Sequence, residues 1–137
     1  MIAKTFSATV LGIDAYLIEV EVDVSVGMSV FNIVGLPDNT IKESRDRILS
    51  AVNNSGYSFP VRRVVVNLAP ATLRKIGSGF DLPIALALLG TMGLFPPQKL
   101  SRAMVVGELL LDGETRSARW ILPVAVAIQY RNLDRPV

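Results

Sequence analysis

The sequence predicts an α/β chain (α+β in the strict sense), a mixed sheet with helices layered on it. Three observations carry that expectation. Ile18, Val20, Val22, Val24 and Val26 alternate with Glu19, Glu21, Asp23 and Ser25, a period-two pattern that marks a strand with one wet face. Helical periodicity follows over residues 40–53 and again after residue 81, with a β-branched run between them. Asp112-Gly113 is a tight-hairpin signal near the other end. Helices interleaved among strands, with hairpins at both ends, give the order β-β-β-α-β-α-β-β-α.

Each element has a local reason. Gly27 reads as the turn after the alternating strand, and Met28 to Val34 as the next strand, which Gly35-Leu-Pro-Asp38 breaks. The first helix then starts on one of two signals, the capping box Thr40-x-x-Glu43 or the competing cap Asp38. Ile41, Ile48, Leu49 and Val52 share its apolar face, and Asn54-Ser-Gly56 ends it, with Gly56 suited to a left-handed position. Pro60 precedes Val61 to Leu68, whose near-continuous apolar centre predicts burial on both faces. The turn Gly77-Ser-Gly79 leads into the second helix. Asp81 is the expected cap, because Pro83 then falls in the first turn, where no N–H is needed. Ala103 to Leu111 and Glu114 to Ala118 read as a hairpin, and Ile121 to Tyr130 as a closing helix.

At 137 residues, half of them apolar, the chain has the size and composition of one domain, spanning residues 1–137. It contains neither Cys nor His, which excludes thiol nucleophiles, disulfides, zinc-finger sites and an imidazole base. The longest apolar run, Leu82 to Phe95, is interrupted by Gly and Pro and is shorter than the about 20 residues a membrane helix needs. With no signal-peptide pattern at the N-terminus, a cytoplasmic domain without membrane association is expected.

The charge is uneven. Residues 1–37 carry one Lys against four acids, net −3, and residues 38–75 carry seven basic against three acidic residues, net +4. Lys42, Arg45, Arg47, Arg62, Arg63, Arg74 and Lys75 are therefore the candidate surface for DNA or an acidic partner, since phosphate contacts need Lys and Arg rather than a motif. Only Tyr57, Phe59 and Phe80 lie near them, too few aromatics for base stacking.

Other sites offer less. The carboxylates Glu19, Glu21 and Asp23 sit about 6.6 Å apart along one strand face, too far to share one cation without further ligands, so no metal site is assigned. The Gly77-Ser-Gly79 turn lacks the G-x-x-x-x-G-K-S/T context of a phosphate-binding loop, so no cofactor site is assigned. Lys75 and Ser78 are spaced for a Ser–Lys dyad, but such a dyad needs a neutral amine against the hydroxyl, and Arg74-Lys75 reads as exposed. Glu108, on an apolar stretch, must find a partner, either structural or within a site. No catalytic residue is assigned.

A family resemblance rests on a series of segments in order: Val34-Gly-Leu-Pro-Asp38, Lys42-Glu-Ser-Arg45, Asn54-Ser-Gly56, Phe59-Pro60, Val66-Asn-Leu-Ala-Pro70, Gly79-Phe-Asp-Leu-Pro-Ile-Ala85, Val106-Gly-Glu-Leu-Leu-Leu-Asp-Gly113 and Leu122-Pro-Val-Ala125. Together they resemble the N-terminal domain of the ComM/YifB family, the magnesium-chelatase-like, competence-related AAA+ ATPases. The resemblance implies a fold like the Lon proteolytic domain, shared with a ribosomal-protein domain. It also implies that Phe80 and Leu122 occupy the positions of the catalytic Ser and Lys, so that the peptidase pocket is degenerate. It implies a longer parent that binds ATP and Mg²⁺, self-associates as a hexameric ring and acts on DNA in branch migration, while this segment itself holds no cofactor. The alternatives are an assembly module without DNA contact and a cryptic hydrolase using Ser78 and Lys75.

Overall fold

The computed structural model describes residues 1–117. Its main sheet has four strands: β1 (Ile2–Leu11), β2 (Asp14–Ser25), β3 (Val30–Val34) and β4 (Arg63–Ala69), in the order β1-β2-β4-β3. The sheet is mixed, with β1–β2 and β2–β4 antiparallel and β3–β4 parallel. The helices are α1 (Asn39–Lys42), α2 (Ser44–Asn54) and α3 (Asp81–Thr91), followed by a 3₁₀ helix over Pro97–Arg102. A short hairpin of β5 (Glu108–Leu109) and β6 (Thr115–Arg116) completes the described elements.

The turn between β1 and β2 is Gly12-Ile13, with Gly12 at positive φ, as a two-residue hairpin requires. Ile18, Val20 and Val22 are fully buried and Val24 is partly buried against the core, as the alternating pattern predicts, but the expectation is corrected at its end: β2 stops at Ser25 and Val26 is exposed. The turn at Gly27 does not make a second hairpin, however. β4 inserts between β2 and β3, and β3 pairs parallel to it through the α1–α2 crossover. In β4, Val64, Val66 and Leu68 are buried while Val65 and Asn67 are only half-buried. The expected two-faced burial is thus corrected to one-faced burial. The helices cover one side of the sheet and leave the other wet.

The core lies between that sheet face and the helices. It contains Ile41, Ile48 and Val52, Val64, Val66 and Leu68, and Phe80, Ile84 and Leu88. Asp38 is the cap of the first helix: its Oδ1 accepts from the Ile41 N–H at 2.9 Å, and the Thr40 box is not used. The predicted single helix is divided at Glu43 into α1 and α2. The strand expected over Ala103 to Leu111 shrinks to Glu108–Leu109. Upstream of it, the chain is tied to the edge of β1 by Phe6 N–H to Ala103 O (3.0 Å) and Val105 N–H to Phe6 O (2.8 Å). The Asp112-Gly113 hairpin forms as expected, with Gly113 at positive φ and Leu110 N–H donating to Glu114 O. Among the described residues no helix is long and apolar enough to cross a membrane. The closing helix expected over 121–130, and with it Leu122, lies outside the described residues.

Candidate functional site

The polar groups gather at the start of α3, where the Gly77-Ser-Gly79 turn meets α1, α2 and Gly107-Glu108. The N-terminal amides of α3 find backbone acceptors. Asp81 N–H donates to Ser78 O, Leu82 N–H to Gly107 O and Ile84 N–H to Phe80 O, while Pro83 has no N–H to satisfy. A side-chain cap has no work left there, and the Asp81 carboxylate turns elsewhere.

Asp81 is buried to within 1% of full coverage and is held by α2. Arg47 Nε donates to Oδ2 at 2.6 Å and Nη2 to Oδ1 at 2.9 Å, a two-pronged pair. The buried Ser44 hydroxyl donates to Oδ1 at 2.7 Å. Arg47 Nη2 also donates to Thr40 O at 2.7 Å, and Nη1 to Glu43 at 3.5 Å. The hydrogen bonding of Arg47 to the Asp81 carboxylate is the main reason its guanidinium is held above its ordinary pKa, against the opposing pull of burial. The expected helix cap is therefore corrected to a buried ion pair that locks α2 to α3.

Lys75 is also corrected. Its side chain is fully buried, not exposed. Nζ donates to Gly35 O at 2.7 Å and to Pro70 O. Its backbone is paired as well, with Lys75 N–H to Leu36 O and Asp38 N–H to Lys75 O. Burial pulls the amine below the ordinary lysine pKa. Lys75 thus pins the loop 70–75 to the loop 35–38. Gly35 makes this approach possible: a Cβ there, at φ 104°, would lie 2.1 Å from Leu68 O.

Ser78 has a different partner. Its hydroxyl donates to Glu108 Oε1. The two members of the supposed dyad are each engaged, Lys75 with two carbonyls and Ser78 with a carboxylate. Glu108 finds the partner that its apolar setting demanded. Gly77 takes positive φ, and its N–H donates to Asp38 Oδ2 at 3.0 Å, so the turn is committed to internal contacts. Phe80, 1% exposed, is part of the core beneath the turn.

The seven basic candidates are not brought together. Lys42, Arg45, Arg62, Arg63 and Arg74 are exposed; Arg47 is half-buried in its ion pair, and Lys75 is buried. The exposed five divide between the two ends of β4. Arg62 and Arg63 stand at its start. Arg74 follows its end, and Lys42 and Arg45 follow the end of β3, which is level with Asn67. Seven residues of strand separate the ends by roughly 20 Å. Arg63 also shares a shallow concavity of the wet sheet face with Glu21 and Asp23, and Arg45 lies 3.3 Å from Asp46. Sequence reasoning missed the Ser44–Arg47–Asp81 cluster. Its only signal was one acid placed where an apolar helix begins and Arg47 amid a capped helix's first turns.

Comparison with known proteins shows the family of this chain. A family model described as subunit ChlI of Mg-chelatase matches residues 20–137. The chain is 48% identical over 106 residues to the uncharacterized protein YifB of Escherichia coli strain K12, covering 77% of this chain and 21% of YifB. It is 39% identical over 128 residues to the competence protein ComM of Haemophilus influenzae, covering 93% of this chain and 25% of ComM. A third relative, the uncharacterized protein Rv2897c of Mycobacterium tuberculosis, is 40% identical over 126 residues, covering 92% of this chain and 25% of that protein. The chain belongs to the magnesium-chelatase-like ChlI family that includes ComM and YifB. It spans about a quarter of the length of these relatives.

Proposed function

We propose that this chain is a non-catalytic accessory domain, the N-terminal part of a ring-forming AAA+ ATPase that binds ATP and Mg²⁺ elsewhere and acts on DNA in the cytoplasm. The observation that carries the non-catalytic reading is Lys75. A general base must reach the proton it takes, and this amine is enclosed and spent on Gly35 O and Pro70 O. Ser78 is likewise occupied by Glu108. The burial of Phe80 supports the reading of the turn as a degenerate, Lon-like peptidase pocket that has become core.

The DNA reading draws on the exposed Lys42, Arg45, Arg62 and Arg74 and on family membership. Their division between two ends of the sheet favours a second reading, an assembly module without DNA contact. Two assays on the intact chain test these readings. Fluorophosphonate labelling with peptide mapping should leave Ser78 unmodified; labelling of Ser78 that is lost in Lys75→Ala would restore the hydrolase. Fluorescence anisotropy with labelled duplex and single-stranded DNA over a salt series should give binding that weakens steeply with salt. Salt-insensitive or absent binding would leave the assembly reading standing.

A further inference from the structure

The two edges of the main sheet are treated differently. The edge of β1 is covered by the chain at Ala103–Val105 through two backbone hydrogen bonds to Phe6. Among the described residues the edge of β3 has no such cover: β3 ends the sheet order, and its backbone has no hydrogen-bonded neighbour there besides β4. An open strand edge is a row of unmet donors and acceptors, and proteins usually blunt it with Lys, Pro or a bulge. β3 reads Val30-Phe-Asn-Ile-Val34, with no charge and no Pro. Its register against β4 is unbroken over all five residues. An extended main chain can satisfy such a row in register by adding as a further strand.

The sequence of β3 says which chain. It is self-complementary about Asn32. An antiparallel copy centred there sets Asn32 against Asn32, Val30 against Val34 and Phe31 against Ile33. The Phe31–Ile33 match sets an aromatic against a β-branched side chain, a favourable cross-strand pair, and no like charges are opposed. The faces agree as well. Val30, Asn32 and Val34 lie on the wet side, level with Arg63, Val65 and Asn67, while Phe31 and Ile33 pack against the core. The 47% exposed Val34 and the exposed Asn32 would be the groups most covered. We propose that two copies of this chain associate through β3, edge to edge and antiparallel about Asn32, joining their sheets into one of eight strands. This contact is isologous, so it closes as a pair and cannot by itself propagate round a ring. It stands independently of the functional reading above.

The chain contains no Cys, so one introduced thiol reads the contact cleanly. Antiparallel partners have Cα atoms about 4.5–5.5 Å apart, within the about 4.4–6.8 Å that a disulfide spans. The experiment is sedimentation velocity of the intact chain and of Asn32→Lys over a concentration series, with oxidation of Asn32→Cys and of a control, Asp112→Cys, at the exposed hairpin tip. The expected results are a monomer–dimer equilibrium and at least about tenfold weaker association in Asn32→Lys, a change of about 1.4 kcal/mol. Asn32→Cys should give a covalent dimer well ahead of Asp112→Cys. Should Asn32→Lys fail to fold, the cysteine pair still decides. A monomer at every concentration up to about 1 mM would overturn the proposal. So would an assembly larger than a pair, a dimer unmoved by Asn32→Lys, or equal cross-linking of the two cysteines.

Discussion

Arg47 and Asp81, 34 residues apart in the chain, meet through two charge-assisted hydrogen bonds of 2.6 and 2.9 Å. The pair joins α2 to α3 across the edge of the core, and Ser44 completes it from the same helix. Removing one partner leaves the other without its match in a low-dielectric setting. Breaking a buried pair in this way costs about 3–5 kcal/mol; Arg47 keeps 24% exposure, which argues for the lower end.

Asp81→Asn should therefore lower unfolding free energy by about 3 kcal/mol in urea titrations. Arg47→Met should cost a similar amount. The double variant should cost much less than the sum, because neither charge is left behind. Additive losses would mean that the two side chains do not interact.

Lys75→Met removes the donor to two part-buried carbonyls, Gly35 O and Pro70 O, and a group left unsatisfied out of reach of water costs about 1–3 kcal/mol. The amine also gives a pH signature. Its folded pKa lies below its unfolded one, so between the two the unfolded chain binds more protons. Stability from this group therefore rises with pH through that window, up to the unfolded value of 10.5. The wild-type minus Lys75→Met difference in unfolding free energy should increase with pH on the alkaline side. A flat or falling difference would show that burial does not penalise the charge.

Gly35→Ala should be among the most damaging single changes, at about 4 kcal/mol or more. Its φ of 104° disfavours any side chain, and the new Cβ would meet Leu68 O, a backbone atom that cannot swing aside. Thermal melts followed by circular dichroism check this. Gly56→Ala is the comparison: it has φ 90° but open space around it, and should show only the smaller conformational penalty.

DNA binding, where measured, should divide by end of the sheet. Arg62→Ala with Arg63→Ala removes the cations at the start of β4, and Lys42→Ala with Arg74→Ala those at its far end. Each phosphate left without its cation should reduce the slope of log affinity against log salt by about 0.9 on duplex DNA. The pair that changes the slope marks the face that meets the DNA. An unchanged slope in both pairs would speak against DNA binding through these residues.

The parts of the fold carried by local pattern were legible. The β2 alternation, the Asp112-Gly113 hairpin and the left-handed Gly56 follow from neighbours in sequence. β1 was hard to locate because Thr5, Ser7 and Thr9 occupy its buried face, where apolar residues would have marked it. Thr5 Oγ1 donates to Ala103 O, and Thr9 Oγ1 accepts from Ile76 N–H, both partners distant in sequence. The β4 insertion was hidden for the same reason: strand order depends on which edges meet, and periodicity reports only faces. At the site, Lys75 looked exposed because it follows Arg74 in a loop. Its burial depends on carbonyls at Gly35 and Pro70 that fold over it, and no local signal reports that. Asp81 looked like a cap because its position suited one, but Gly107, distant in sequence, had already met the helix amide.

The central claim, that Lys75 is an enclosed anchor and not a free base, is tested most directly by competitive acetylation of the native chain. The sequence has four lysines, Lys4, Lys42, Lys75 and Lys99, and peptide mass spectrometry gives each rate separately. Exposed Lys42 and Lys99 set the reference. Lys75 should react at least about tenfold more slowly than either, since it must await local opening, and should match them once the chain is unfolded. A Lys75 rate equal to or above the exposed lysines in the native chain would contradict the account.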